Sequence, residues 1–301
     1  MKYINIANTD LKAMHLTELS VKDAEKLIRT AMEMGINFFD HADVYDGGKC
    51  EALFSTAIGM NPTIREKMIL QSKCGIRSKE NYYDFSKEHI LEAVDGILGR
   101  LKTDYLDLLL LHRPDPLMEP EEVAESFENL QSSGKVKYFG VSNFNPAQID
   151  LLQKYLPQKL VVNQLQFSVT HTPMIDSGIA LNMKHDQSMN RDSSVLEYCR
   201  LNEITIQAWS PFQYGFFDGV FLGDTEHFPE LNQVIDRLAA KYEVTNTAIA
   251  VAWITRHPAD IQVVLGTTKP WRLEDACKGS ELRLTREEWY QIYKAAGNLV
   301  P

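Results

Sequence analysis

Residues 104–112, DYLDLLLLH, form an almost unbroken apolar run that ends in a histidine. A run of this kind, without alternation of polar and apolar residues, is typical of a strand that is buried on both faces. The segments on either side carry helix signals. Ser86 stands as N-cap of the first, and the second has Pro120 near its start and Gly134 past its end. A buried strand between two helices predicts a parallel sheet covered on both faces.

The same alternation of strand and helix repeats along the chain. Seven apolar runs from Gly35 onward are typical of strands: INFFD, KMILQSKC, DYLDLLLLH, KVKYFGVS, KLVVNQLQ, EITIQAWS and IQVVLGTT. An eighth strand is expected before Ser20, around KAMHL (residues 12–16). Eight such units predict an α/β fold of the (β/α)8 or TIM barrel type, in a single domain over residues 1–301. No GxGxxG follows a strand, which argues against a Rossmann fold.

Composition and charge narrow the class of protein. The chain is 44% apolar and 24% charged, which is usual for a soluble globular protein. Its formal net charge of −10 argues against a nucleic-acid-binding protein, which would need a basic face. The four cysteines form no CxxC pair, and the first residues show no signal peptide or membrane span. We therefore expect reduced thiols in a cytoplasmic protein.

Polar side chains stand where the predicted strands end, and in a barrel this is where the chemistry lies. Asp40, Lys73 and His112 end three successive strands, so we expect their side chains to lie close together. Tyr45 follows Asp40 by five residues and falls in the loop. The later strands end in, or run into, further residues that can hold a ligand: Ser142, Asn143, Gln164, Trp209, Ser210, Lys269 and Arg272.

An aspartate, a lysine and a tyrosine in contact have a clear use in proton transfer. A free tyrosine has a pKa of about 10, too high for an efficient proton donor at pH 7. A neighbouring ammonium lowers that pKa, and Asp40 would hold the ammonium of Lys73 charged and oriented. His112 would donate a hydrogen bond to a carbonyl oxygen. Together these groups would protonate an alkoxide as it forms.

Two other interpretations stay open at this point. A single histidine at a strand end is more often a hydrogen-bonded structural residue, and a single lysine is usually a solvated charge. His41, Asp43 and His112 could instead hold a metal, as in barrel hydrolases, although such sites usually need three or four ligands with an open position. No further histidine or acid ends a matching strand, and a metal site would leave the lysine and the tyrosine without roles.

As a set, these strand ends resemble those of the aldo-keto reductase superfamily, most of all its bacterial oxidoreductases with an HRPDP strand end. The similar stretches are INFFDHADVY, MILQSKCG, LDLLLLHRPDPL, GKVKYFGVSNF, VVNQLQFS and IQAWSP, and a weaker match runs through VVLGTTKPWRLEDA. The resemblance implies a barrel that binds NADPH, in preference to NADH, and reduces aldehydes or ketones to alcohols. It implies a catalytic tetrad of Asp40, Tyr45, Lys73 and His112, with Tyr45 as general acid.

The resemblance also assigns the residues that hold the nicotinamide end of the cofactor. Ser142, Asn143 and Gln164 match the positions that hold the nicotinamide carboxamide. Asp40 matches a family position that also contacts the nearby ribose. Trp209 occupies the place of the aromatic residue that stacks on the nicotinamide ring.

A second set of residues is assigned to the phosphate groups of the cofactor. Ser210 matches a phosphate contact, Lys269 stands near the phosphate loop, and Arg272 lies where the family grips the 2′-phosphate of NADP. The expected partner is a small carbonyl substrate, with no nucleic acid, membrane or metal, and the chain is expected to be a monomer or a weak homo-oligomer. An alternative implied by the same resemblance is a cofactor-binding regulatory subunit that senses redox state with little turnover.

Three features depart from the family's pattern. The lysine that often precedes the phosphate loop in the family aligns roughly with Gly266 here, and Lys269 is expected to substitute for it. The segment AMHLTELSV (residues 13–21) has no counterpart of the Gly-rich end of the first strand, so we predict a shortened N-terminal segment before Ser20. Arg113 follows His112 where many relatives have an aromatic residue, which predicts a more polar pocket, with Arg113 either in contact with substrate or in a salt bridge at the rim. Substrate specificity is expected in the loops, among them the irregular stretch 168–193.

Overall fold

The computed structural model describes residues 8–10 and 19–301, whose contacts divide into two compact units. Of the described residues, the N-terminal unit comprises 8–10, 19–164 and 266–270, and the C-terminal unit comprises 165–265 and 271–301. The segment 12–16, where an eighth strand was expected, lies outside the described residues. That all of residues 1–301 form one domain stays a prediction.

Six parallel strands form the sheet of the N-terminal unit, and each pairs with the next one along the chain. They are β1 (Asn8–Asp10), β2 (Phe38–Asp40), β3 (Ile69–Cys74), β4 (Leu106–Leu111), β5 (Val136–Ser142) and β6 (Leu160–Gln166), of which the last two residues are counted with the C-terminal unit. The register sets Asp40 opposite Gln71. Farther along the sheet it sets Ser142 opposite Gln164. Polar residues that end neighbouring strands therefore meet at one edge of the sheet.

Six helices belong to the N-terminal unit. They are α1 (Val21–Glu33), α2 (Lys49–Ile58), α3 (Pro62–Arg65), α4 (Lys87–Leu101), α5 (Pro120–Ser132) and α6 (Pro146–Gln153). The hydroxyls of Ser20 and Ser86 accept hydrogen bonds from backbone N–H groups in the first turns of α1 and α4, which confirms the N-cap predicted at Ser86. The C-cap of α1 is Met34, and Gly35 follows it with a φ of 85°. A left-handed residue just past the cap is where glycine is favoured.

The core of the N-terminal unit is built on the apolar run of β4. The side chains of Leu109, Leu110 and Leu111 are fully buried, and each such burial contributes about 1.5–3 kcal/mol. Phe127 of α5 stacks on Phe139 of β5 with ring centroids 3.9 Å apart. The helix layer therefore packs directly on the sheet, as the continuous apolar strands predicted.

The C-terminal unit repeats the alternation with two parallel strands, β7 (Thr205–Trp209) and β8 (Gln262–Val263), in direct pairing. Its helices are α7 (Pro173–Ile179), α8 (Val195–Leu201), α9 (Pro229–Tyr242), α10 (Asn246–Thr255), α11 (Pro270–Glu281) and α12 (Arg286–Ala295). The stretch 168–193, expected to be irregular, contains α7, which begins at a proline suited to the first helical position, and a 3-10 turn at Asp186–Ser188.

Some short elements were not predicted. Two-residue strands form antiparallel hairpins at Ile76–Arg77 with Tyr82–Tyr83 and at Gln213–Tyr214 with Gly219–Val220. Among the described residues, no helix has the length and apolar character needed to cross a membrane.

Candidate active site

A buried ion pair lies at the strand ends of the N-terminal unit. The Nζ atom of Lys73 donates to Oδ2 of Asp40 at 2.6 Å, and neither side chain is exposed to solvent. The same ammonium donates to the backbone carbonyl of His41 at 2.9 Å. The amide of Gln71 donates to the other carboxylate oxygen of Asp40. Burial of two charges is favourable only when the pair and its remaining hydrogen bonds are satisfied, and here both conditions hold.

Tyr45 lies next to this ion pair. Its hydroxyl oxygen is 3.3 Å from Nζ of Lys73, and the same ammonium is 5.0 Å from the centre of its ring. The predicted cluster of Asp40, Lys73 and Tyr45 is therefore brought together. An ammonium at this distance stabilises negative charge on the phenol oxygen.

The loop that carries Tyr45 makes an unusually tight turn. It forms a 3-10 helix over Tyr45–Gly48, and Asp46, Gly47 and Gly48 all have positive φ angles, of 46°, 62° and 85°. A Cβ at Gly48 would lie 2.5 Å from Nε of Arg100, so a larger residue here would have to displace the Arg100 side chain as well as adopt a positive φ. The turn fixes where Tyr45 stands relative to β2.

His112, the fourth predicted catalytic residue, follows β4 beside Tyr45. The two rings meet edge to face, with centroids 5.8 Å apart and planes at 82°. Burial, and then the charges of Lys73 and Arg113, hold the pKa of His112 well below its ordinary value. The imidazole is thus neutral at pH 7, and its buried Nδ1 has no hydrogen-bond partner among the described residues. A neutral ring can donate one N–H to an incoming oxygen atom.

Three predicted cofactor residues lie together on β5 and β6 and the turn that follows. The hydroxyl of Ser142 donates to the backbone carbonyl of Gln164 at 3.0 Å. The amide of Asn143 donates to that hydroxyl at 2.8 Å and to the backbone carbonyl of His112 at 3.4 Å. These contacts join the polar ends of β4, β5 and β6 into one connected surface.

Four other predicted cofactor residues are placed by local contacts. Lys269, in the N-terminal unit, donates its backbone N–H to the hydroxyl of Thr267. Trp209 ends β7, Ser210 follows it with a φ of 51°, and Arg272 lies in α11, all three in the C-terminal unit. The role of each of them in cofactor binding stays a prediction.

A second polar network lies behind Lys73 and was not predicted from the sequence. Glu51 of α2 is fully buried. Its carboxylate accepts a hydrogen bond from the hydroxyl of Ser72 at 2.7 Å and another from Nε of Arg100 at 2.7 Å. Its neighbour Asp43 is also desolvated: burial, and then the charge of Glu51, raise the pKa of Asp43 to about 7. Gln71, which donates to Asp40, was not predicted either, although the sequence carried a usable signal for it: Gln71 stands two residues before Lys73 on β3 and so shares its face.

His41 and Asp43 were the residues considered for a metal site. Burial, and then the charge of Lys73, lower the pKa of His41 to about 3, and its ring packs against Phe54 at 4.6 Å. Over residues 8–10 and 19–301, no three side chains of the His, Cys, Asp and Glu types converge on a possible metal position.

Comparison with known proteins places these residues in a family. The model of the Aldo/keto reductase family matches residues 10–296. The uncharacterized oxidoreductase YcsN of Bacillus subtilis is 36% identical over 291 residues, which cover 93% of this chain and 91% of that protein. The 6-dehydroglucose reductase of Agrobacterium fabrum is 34% identical over 278 residues, which cover 89% and 86% of the two chains.

The solved structures agree on the fold. An aldo-keto reductase from Klebsiella pneumoniae, crystallised in complex with NADPH, matches 95% of this chain and 88% of its own with a TM-score of 0.74 at 21% identity. At 21% identity this structural similarity shows the fold alone. The (β/α)8 barrel predicted from the alternating strands and helices is confirmed. The matched residues and the relatives together show that the chain belongs to the aldo/keto reductase family of oxidoreductases.

Proposed function

We propose that this protein reduces aldehyde or ketone carbonyls to alcohols with NADPH, and that Tyr45 is the proton donor. The observation that carries the proposal is the line of contacts from Asp40 to Lys73 to Tyr45, at 2.6 and 3.3 Å. In a site without these contacts the phenol would hold its proton too tightly to act at neutral pH.

Lys73 has a defined task in this proposal. Its ammonium is fixed by Asp40 and by the backbone carbonyl of His41, so it needs no reorganisation during the reaction. As the Tyr45 proton passes to the alkoxide oxygen of the reduced substrate, negative charge develops on the phenol oxygen. The nearby ammonium stabilises that charge, which lowers the barrier for the proton transfer. In alcohol oxidation the same arrangement makes the Tyr45 phenolate the base.

His112 positions the carbonyl. Because its imidazole is neutral, it can donate a hydrogen bond to the carbonyl oxygen without itself exchanging a proton with substrate. Its ring stands edge to face with that of Tyr45, so both donors reach the same region. Two donors aimed at one oxygen define where the carbonyl group sits.

The residues present fit a nicotinamide cofactor. Ser142, Asn143 and Gln164 offer hydroxyl and amide groups at the ends of adjacent strands, beside His112, and these are the groups that a carboxamide pairs with. The chemistry that NADPH supplies when bound is a hydride for the carbonyl carbon. Trp209, Ser210, Lys269 and Arg272 are further cofactor residues in this proposal, on the basis of the family resemblance alone. A guanidinium at the last position would favour the 2′-phosphate of NADP over the hydroxyl of NAD.

The name of one relative points to a substrate class. The relative from Agrobacterium fabrum is named a 6-dehydroglucose reductase, so an oxidised sugar is the first carbonyl that we would offer this protein. Arg113 fits a polar substrate, since it is partly buried and close enough to Tyr45 for the two side chains to influence each other electrostatically. Whether Arg113 touches substrate stays a prediction.

The test is a titration followed by a turnover assay. NADPH and NADH are titrated against the protein, and loss of reduced-cofactor absorbance is then followed with simple aldehydes, ketones and 6-dehydroglucose. We expect tighter binding of NADPH and turnover of at least one carbonyl. Tight binding with no turnover on any carbonyl would favour the regulatory-subunit alternative. Absence of binding would overturn the cofactor assignment.

A further inference from the structure

The C-terminal unit contains a cleft of about 510 Å³ that the proposed reaction does not use. Ile175 of α7 and Leu196 of α8 are buried and form its floor, and Tyr290 of α12 lines one side. A volume of this size falls within the range of small-molecule sites, roughly 300–1,000 Å³. It is far more than a single inorganic anion needs.

Arginines dominate the polar lining of this cleft, which we call the arginine cleft. It is lined by Arg200, Arg256, Arg283 and Arg286. Over the described part of the chain, none of these four guanidinium groups comes within 4.0 Å of a carboxylate oxygen. Four like charges around one cavity repel one another. This local positive charge contrasts with the net charge of the whole chain, which is −10. An anion in the cleft would relieve that repulsion.

The neighbouring ionisable groups leave the positive charge in place. Burial, and then the charge of Arg200, lower the pKa of His257 to about 4, so this ring is neutral at pH 7. Glu288 in the first turn of α12 is already bound by Lys241 at 2.6 Å and by Tyr242 at 2.7 Å. The one acid in the lining is Glu197, which leaves a formal charge of +3 from four arginines and one glutamate.

The side chain of Arg256 is held in place by a hydrogen bond to the backbone. Nε of Arg256 donates to the backbone carbonyl of Leu284 at 2.8 Å, which fixes the guanidinium at the end of α10. The remaining N–H groups of a guanidinium held in this way can form a bidentate contact with a phosphate. Preorganisation of this kind lowers the entropy cost of binding.

The arginine cleft is also separate from Trp209 and Ser210, two of the proposed cofactor contacts of the C-terminal unit. Arg200 lies in the last turn of α8, before β7 begins at Thr205. Trp209 and Ser210 lie at the other end of that strand. The cleft is therefore at the end of β7 opposite to these two residues.

We propose that the arginine cleft binds a nucleoside polyphosphate. Its phosphates pair with the guanidinium groups at the rim, and its base lies against the apolar floor and the ring of Tyr290. More than one phosphate is needed to match the net positive charge, and the base accounts for the volume and the apolar floor that a phosphate chain alone would leave unfilled. This site is independent of the proposed carbonyl reduction.

The test uses ATP as the probe, titrated calorimetrically into the full-length protein with and without saturating NADPH. We expect one ATP per chain in both conditions, with inorganic tripolyphosphate weaker than ATP. The double variant Arg200→Gln/Arg283→Gln removes two exposed charges from the rim and should weaken ATP binding by about tenfold or more. The variant Lys278→Gln/Lys294→Gln removes two exposed charges outside the cleft and should bind ATP nearly as the parent does.

In the absence of NADPH, three results would overturn the proposal. They are absence of ATP binding, equal affinity in the parent and the Arg200→Gln/Arg283→Gln variant, and tripolyphosphate binding as tight as ATP. Loss of ATP binding when NADPH is present would place ATP in the cofactor site and would also overturn it. Because none of these readouts requires carbonyl turnover, failure here is distinguishable from failure of the proposed reductase activity.

Discussion

The ammonium nitrogen of Lys73 lies 2.6 Å from a carboxylate oxygen of Asp40, and both side chains are fully buried. Removal of one partner would leave the other charge buried and unpaired, which typically costs about 3–5 kcal/mol. Removal of both charges avoids that penalty. We therefore expect Lys73→Met to lower the free energy of unfolding strongly and Asp40→Asn/Lys73→Met to lower it less.

Urea denaturation of the parent, both single variants and the double variant measures this coupling. The cycle needs no assumption about catalysis. A double variant that is destabilised by the sum of the two single changes would contradict the account of the ion pair.

The turn after Tyr45 gives a second prediction. Gly47 and Gly48 both have positive φ, so alanine at either position costs about 1–2 kcal/mol in backbone strain. Only at Gly48 would the added Cβ meet Arg100, whose guanidinium is held by the buried Glu51. Gly48→Ala should therefore be more destabilising than Gly47→Ala by about 1 kcal/mol or more.

Thermal unfolding of the two glycine variants decides this point. Gly47→Ala is the matched control, because nothing lies within 4 Å of its added Cβ. Equal melting temperatures for the two variants would show that Arg100 moves aside at no cost.

The buried carboxyl of Asp43 predicts a particular pH dependence. The pKa of Asp43 is about 7 in the folded chain, against an ordinary pKa of 3.8. At a pH between these two values, the Asp43 carboxyl has lost its proton in the unfolded chain and keeps it in the folded chain. The folded state therefore loses stability as pH rises from about 4 to 7, by about 1.4 kcal/mol for each unit that the pKa is raised. Asp43→Asn removes this loss.

We expect the stability of Asp43→Asn relative to the parent to rise from pH 4 to pH 7 and then to level off. Urea denaturation at several pH values measures the difference. Asp104→Asn, at an exposed position, controls for the removal of one negative charge. A difference between Asp43→Asn and the parent that does not change with pH would show that the Asp43 carboxyl is ionised normally in the folded chain.

Much of the fold follows from local sequence. Continuous apolar runs such as β4 identify buried parallel strands, and Ser20 and Ser86 mark helix starts through short-range hydrogen bonds. Helix α12 was missed, although Thr285 and Glu288 form a reciprocal capping box that is visible as T-x-x-E. That signal is local and could have been found.

Some residues of the candidate site can also be predicted from local sequence, and others cannot. Asp40, Lys73 and His112 could be predicted to meet because parallel strands end at one edge of the sheet. The partnership of Glu51 with Arg100 joins residues 49 positions apart on two helices, and no local pattern marks such a pair. The rotation of each helix about its axis is set by packing over the whole unit, so these contacts emerge only in the folded chain.

In the proposed reaction Tyr45 gives its proton to the alkoxide oxygen. Steady-state carbonyl reduction by Tyr45→Phe, measured together with NADPH affinity, tests this role, with Tyr155→Phe as an exposed control. Loss of the hydroxyl alone should lower kcat by about 10²–10⁴-fold and leave the Kd for NADPH nearly unchanged, since only the donor is removed. A Tyr45→Phe enzyme that reduces the same carbonyl at the parental rate would contradict the account.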